Sequence, residues 1–288
     1  MANLILPRRF RQPNGDVQVD QAFSKRCTFA FNAGSGPIDL VNRAAPMAPG
    51  SGVSWSGGAA GRALYFDGTQ TNKAFSWGNY FNPFAGSRGL TVVAAINYGT
   101  GSGRVLAKWG ISPSTFLCSI GDGSAPGELA LAIGTGLYGV EAYRSSGLPI
   151  TTNKDTAIVF KWDGNNGASG YSFFVDGTKA PSVTLLYDND DPTTVPSNSG
   201  IGYFQIGISD DGAAALGKVY TVYGFNGGLT DTECIALSRN PWQLFKTARR
   251  VLYFDVGVGG GAQIPTLSDA TVIDVTSTTA TPQVALTF

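Results

Sequence analysis

The chain has 288 residues, with 39 glycines, 15 prolines, 14% charged side chains and 20 basic groups against 20 acidic ones. That balance excludes a polybasic nucleic-acid binder and an acidic disordered chain. Histidine is absent, which removes Ser-His-Asp and Cys-His nucleophilic sites, His-ligated zinc and imidazole acid–base chemistry.

In chain order, residues 1–26 come first as a polar segment. It carries Arg8, Arg9, Arg11, Lys25 and Arg26 against Asp16 and Asp20, with Pro7 and Pro13 opposing helix. It reads as an extended N-terminal arm, with Arg8, Arg9 and Arg11 as groups that dock it on an acidic surface in an assembly. Its three-residue apolar stretch, Leu4-Ile5-Leu6, is too short for a secretory signal. No run of about 18 apolar residues occurs either. The expectation is a soluble chain made in a cytoplasm, with neither membrane nor nucleic acid among its partners.

From 27 to 255 the sequence is a series of short strand-like runs separated by Gly/Ser/Asn/Asp clusters, read as one sandwich domain. Leu90, Val92, Ala94, Ile96 and Tyr98 share a strand face by the two-residue period. So do Thr156, Ile158, Phe160 and Trp162, then Tyr171, Phe173 and Val175, and later Val219, Thr221, Tyr223 and Phe225. Asp67-Gly68 and Asp176-Gly177 supply tight turns, and Asp163–Gly170 a longer hairpin loop. This spacing predicts an antiparallel sandwich rather than βαβ units.

One helix is predicted, from Asp231 to Arg239. Thr230 and Glu233 form a capping box, and Asn240-Pro241 stops it. Trp242, Leu244 and Phe245 are expected to fold back on the sandwich. Residues 256–288 then form a C-terminal tail hinged at Gly257–Gly261, with strand-like runs at Thr271–Val275 and Gln283–Phe288. Cys27, Cys118 and Cys234 are far apart, odd in number and form no CxxC pair, so neither a disulfide framework nor a zinc site is written in them.

Ala63–Gly68, Leu90–Tyr98, Ile158–Asp163, Tyr171–Gly177, Gly207 in its strand, and Val219–Phe225 running into Leu229–Leu237 follow one another in a familiar order. In that order the chain resembles the laminin-G-like, concanavalin A-like jelly-roll modules over roughly residues 27–245. Three further pieces, Leu6–Arg9, Arg239–Phe245 and Thr266–Val272, are similar to jelly-roll proteins of tailed bacteriophages and prophages. The resemblance implies an all-β jelly roll with one short helix toward its C-terminal side. It also implies a non-enzymatic virion structural protein, on a tail appendage or the capsid surface, whose partners are other virion proteins and copies of itself.

An alternative is an adhesion module that binds host-surface glycan; a glycan-cleaving enzyme ranks third. Glycosidases need paired carboxylates about 5 to 10 Å apart. Only three glutamates exist, Glu128, Glu141 and Glu233, and Glu233 belongs to the helix cap. Glu128 and Glu141 read as solvated carboxylates at strand ends, and no catalytic residue is assigned. For glycan, Trp55, Trp77 and Tyr80 lie in Gly/Ser/Asn-rich segments, where a ring either lines a groove or covers a loop. No cofactor is expected, with calcium as the exception to weigh. Asp188, Asp190 and Asp191 offer hard oxygen ligands, or a plain solvated acidic loop. Calcium-binding members of the resembled family often carry Asp-Glu where this chain has Tyr220-Thr221.

Overall fold

A computed structural model describes residues 12–13, 17–20, 25–47, 50–69, 75–78, 80–99, 103–109, 115–121, 126–134, 140–188, 192–196, 202–207 and 216–247. All belong to the compact unit Met1–Ala248. Arg8, Arg9, Arg11 and the hinged tail lie outside the described residues.

Two antiparallel sheets face each other. The larger runs in the order β12 (Thr178–Lys179), β11 (Tyr171–Val175), β10 (Asp155–Trp162), β5 (Leu90–Tyr98), β15 (Leu216–Asn226), β4 (Gly61–Asp67) and β3 (Val53–Gly58). The long strand β15 is shared on one side: β4 pairs with Leu216–Val219, and β2 (Cys27–Asn32) with Thr221–Phe225. The smaller sheet runs β13 (Ser182–Asp188), β9 (Val140–Ser146), β8 (Leu129–Gly134), β7 (Phe116–Ile120), β6 (Gly103–Lys108) and β14 (Phe204–Ile206). The fold is an antiparallel jelly-roll sandwich, as the alternating runs predict.

The alternation fills two layers. Leu90, Val92, Ala94, Ile96 and Tyr98 of β5 enter the core between the sheets with Ile158, Phe160, Trp162, Phe173 and Val175. The intervening Val93 and Ala95 point the other way, into a second apolar layer with Val159 and Phe174. That layer is closed by helix α1 (Asp231–Arg239) through Cys234 and Leu237, and by Trp242, Leu244 and Phe245 after it. A strand buried on both faces needs apolar residues at nearly every position, and Leu-Thr-Val-Val-Ala-Ala-Ile meets that need.

One alternation is corrected by the structure. Val219 enters the inter-sheet core, whereas Tyr223 and Phe225 lie in the second layer. The register of β15 on β5 shifts between Val219 and Thr221, leaving Tyr220 as an extra residue. Such a bulge reverses the faces of all positions beyond it.

Local chemistry accounts for the remaining turns. In helix α1 the Glu233 amide donates to Thr230 Oγ1 and the Thr230 amide donates to Glu233 Oε2 at 2.8 Å. Asp176 and Gly177 both adopt positive φ, 48° and 85°, between β11 and β12. Two such residues give the turn whose twist matches flanking strands. The Gly177 amide donates to Ser238 Oγ, tying this turn to the helix.

In its described part, the segment read as an N-terminal arm is bound to the sandwich. Val17–Val19 forms β1, antiparallel to β16 (Phe245–Thr247). Gln12 is buried; its Nε2 donates to Asn32 Oδ1 and its Oε1 accepts from the Arg62 amide.

Candidate functional site

The three aromatic residues singled out for glycan fall in three different settings. Trp77 is a correction: it is 8% exposed and enclosed by Phe29, Phe31, Phe75, Phe81 and Phe204. Its indole N–H donates to the Ala44 carbonyl, so neither ring face nor polar edge is open to a ligand. The polar composition of its segment misled because the core here is built from a loop between β4 and β5. Tyr80, in the same loop, is 78% exposed. Trp55 is half-buried on β3, at the edge of the larger sheet, with the Arg62 guanidinium 4.3 Å above its ring. That geometry is a cation–π contact on an accessible edge.

The acidic candidates for calcium are not brought together in the described residues. Asp188 is an exposed residue at the end of β13; Asp190 and Asp191 lie outside the description. No cluster of three or more His, Cys, Asp or Glu that would hold a metal occurs among the described residues.

The glutamates separate. Glu141 is a correction to the expected solvated carboxylate: it is 1% exposed and points toward the sheet interface. It accepts from the Tyr171 hydroxyl at 3.0 Å and from the Gly167 amide, clamping the Asp163–Gly170 loop against β9. Burial first, then the charge and hydrogen bond of Glu141, pushes the Tyr171 hydroxyl far above its ordinary value. Glu128 instead pairs with Arg144 Nε at 3.4 Å. Arg144 shares its face with Ala142, in the cluster on the outer side of the smaller sheet. Glu128 and Glu141 therefore serve opposite faces.

A group that sequence reasoning missed lies on the outer face of the larger sheet. Ser54 pairs with Tyr65, Tyr65 with Lys218, Lys218 with Asn97, and Asn97 with Asp155. These five residues form one row across β3, β4, β15, β5 and β10. Tyr65, Asn97, Asp155 and Lys218 are half-buried and Ser54 is exposed. Asp155 Oδ1 accepts from Asn97 Nδ2 at 2.7 Å and from the Tyr220 hydroxyl at 2.8 Å. Lys218 Nζ donates to the Gly57 carbonyl at 2.9 Å, drawing the β3–β4 hairpin to the row.

The bulge makes this corner. Tyr220, displaced from the regular pleat, lies in the outer layer and reaches Asp155. Burial, then its hydrogen bond to Asp155, pushes the Tyr220 hydroxyl well above its ordinary value, so it stays a donor. A side chain at Gly58 would collide with this hydroxyl, since a Cβ there would sit 2.3 Å from it. The row presents an acceptor in Asp155, a donor and acceptor in Asn97, a cationic donor in Lys218, and a ring with a hydroxyl in Tyr65. Such a set matches adjacent hydroxyl groups, each of which donates and accepts. One signal was legible in the sequence: Asn97 interrupts the outward apolar series Val93, Ala95. Its alignment with Ser54 and Asp155 is a product of strand pairing alone.

No family model matches the chain, and no curated protein matches it. Among solved structures it is similar to domain 4 of AbnA, a GH43 extracellular arabinanase from Geobacillus stearothermophilus, in complex with arabinotriose. The two are 15% identical with a TM-score of 0.53, over 74% of this chain and 98% of that one. A sialidase CBM40 from Ruminococcus gnavus bound to α2,3 sialyllactose gives 12% identity and a TM-score of 0.43, over 61% and 95%. A heptameric SAP-like pentraxin from Limulus polyphemus gives 15% and 0.40, over 61% and 81%. The first of these shares the jelly-roll sandwich with this chain.

Proposed function

We propose that this protein is a non-catalytic carbohydrate-binding jelly roll, with its binding corner at Tyr65, Asn97, Asp155 and Lys218. The observation that carries this reading is the row itself: polar side chains in register across five strands, at the end of the sheet that the apolar layer under α1 does not reach. Sugar sites combine an aromatic wall with a few placed polar groups. Tyr65 supplies the ring here; Trp55, next to Ser54 on β3, faces the inter-sheet core instead. Binding without cleavage is supported by the single carboxylate in the hydrogen-bonded group, because glycoside hydrolysis uses two.

The test is a glycan array followed by calorimetry, with arabinotriose as first probe because the arabinanase domain of like fold was solved with it. Lys218→Ala and Asn97→Ala should each weaken binding at least tenfold while leaving the circular dichroism spectrum unchanged. An array without hits, or hits indifferent to both substitutions, rejects the corner.

A second reading places this module on a tailed-phage particle, in its tail or capsid surface. It is supported by the resemblance carried by Leu6–Arg9, Arg239–Phe245 and Thr266–Val272. The two readings are compatible, since a particle-borne sugar binder would serve adhesion to a host surface. Immunogold labelling of purified particles tests it: decoration at one defined position supports the assignment, and its absence rejects it.

A further inference from the structure

Asparagine followed by glycine occurs at Asn166-Gly167 and Asn226-Gly227 among the described residues, and both asparagines are exposed. Glycine has no side chain to block its own amide nitrogen. That nitrogen can therefore reach the preceding side-chain carbonyl carbon and close a succinimide ring. The fold treats the two pairs differently. Asn226 ends β15 in register with Leu90, and its amide donates to the Arg26 carbonyl. The Gly227 amide donates to the Gly89 carbonyl at 3.0 Å, a neutral acceptor. Asn166 instead stands in the loop between β10 and β11 and makes no hydrogen bond among the described residues. Its neighbours are anchored: the Asn165 amide donates to Asp163 Oδ1, and the Asn165 carbonyl accepts from the Trp162 indole. The Gly167 amide donates to Glu141 Oε1, while the Tyr171 hydroxyl donates to Glu141 Oε2. With both oxygens accepting, Glu141 behaves as an ionised carboxylate, and it is 1% exposed.

We propose that Asn166 is a self-modification site in which Glu141 is the base. A general base must lie in hydrogen-bond contact with the proton it removes, and Glu141 already holds the Gly167 N–H. Glu141 takes that proton, and the Gly167 nitrogen forms a bond to Cγ of Asn166. The Cγ–Nδ2 bond breaks, and Nδ2 leaves as ammonia carrying the proton, which restores the carboxylate. Water then adds to one of the two ring carbonyls and breaks its bond to nitrogen, leaving aspartate or isoaspartate at position 166. The succinimide nitrogen bears no hydrogen, so ring closure consumes the contact that clamps the loop to β9. Hydrolysis leaves a second carboxylate next in the chain to the amide that Glu141 held, and like charges oppose re-formation of the clamp.

The test is prolonged incubation of the full chain at neutral pH in heavy-oxygen water, with peptide mapping by mass spectrometry. Label should enter at Asn166 well before Asn226. In guanidinium chloride the two rates should converge, since both are then plain Asn-Gly pairs. Glu141→Gln should slow conversion at Asn166 by about a hundredfold, the low end of what a positioned base supplies, and leave Asn226 unchanged. If that variant does not fold, the comparison of native with denatured chain decides alone. The converted protein should show faster hydrogen exchange across residues 163–170. Equal rates at the two asparagines in the native chain, an Asn166 slower when folded than when denatured, a folded Glu141→Gln that keeps the parent rate, or unchanged exchange in the converted loop overturns the proposal.

Discussion

The outer face of the larger sheet changes character along its length: one end is sealed by apolar cover and the other is left polar. Toward one end, Val93, Ala95, Val159 and Phe174 are covered by helix α1 and the Trp242–Phe245 turn. Toward the other, β5, β10 and β15 carry Asn97, Asp155 and Lys218, in no apolar cluster; Asn97 donates to Asp155 and Lys218 to the Gly57 carbonyl. On β5 the transition takes one alternate step, from Ala95 to Asn97. Where the cover stops, water reaches the sheet, and an apolar side chain there would gain nothing from burial. Polar side chains fill the positions, and the proposed sugar corner is built from them.

The covered end should be the sensitive one. Phe174→Ala removes a fully buried ring under the helix and should cost about 3–5 kcal/mol, read as a lower urea midpoint. A loss below about 1 kcal/mol would mean that the helix does not seal this layer.

The helix start comes next. Thr230→Ala removes the hydroxyl that accepts from the Glu233 amide and should cost about 1 kcal/mol. In a thermal melt that is a fall of roughly 2–4 °C.

The same helix start gives the acid limb of stability. Partial burial raises the Asp231 carboxyl, but the hydrogen bonds and charges of Lys161 and Lys179 outweigh it and hold it below 3.8. For Glu233 burial is likewise outweighed, by the Thr230 amide and hydroxyl and by Arg26, so it lies below 4.5. Groups lowered on folding stabilise above their unfolded values and lose that contribution as the pH falls through the folded ones. Stability should therefore decline on acidification below about pH 4.5, and by less in Asp231→Asn, which lacks one of the two groups. Denaturant midpoints between pH 6 and 3 measure this.

At the uncovered end the stability effect should be smallest. Lys218→Ala loses one hydrogen bond to the Gly57 carbonyl from a half-buried side chain and should stay within about 0.5 kcal/mol of the parent. The sharp form of the comparison is that this variant loses sugar and keeps its fold, whereas Phe174→Ala loses stability first.

Local rules act over a few residues, and what depends on them was legible from the chain alone. The capping box and Asn240-Pro241 bound the helix at Asp231 and Arg239, as observed. Asp176-Gly177 marks a turn because its backbone needs two positive φ values. Alternation in Leu90–Tyr98 separates the residues of the inner core from the two that meet the outer layer.

Tertiary structure alone decided the rest. Trp77 is buried because Phe29 and Phe204, distant in sequence, converge on it beside Phe81 of its own loop. Glu141 is withdrawn from water because Tyr171 and Gly167, from the opposite sheet's hairpin, supply its donors. Tyr220 faces outward because β4 and β2 share one side of β15 and the register slips where one gives way to the other. The row from Ser54 to Asp155 exists through pairings of residues as far apart in the chain as Tyr65 and Lys218, and hydrophobic periodicity within a single strand carries no information about which other strand lies beside it.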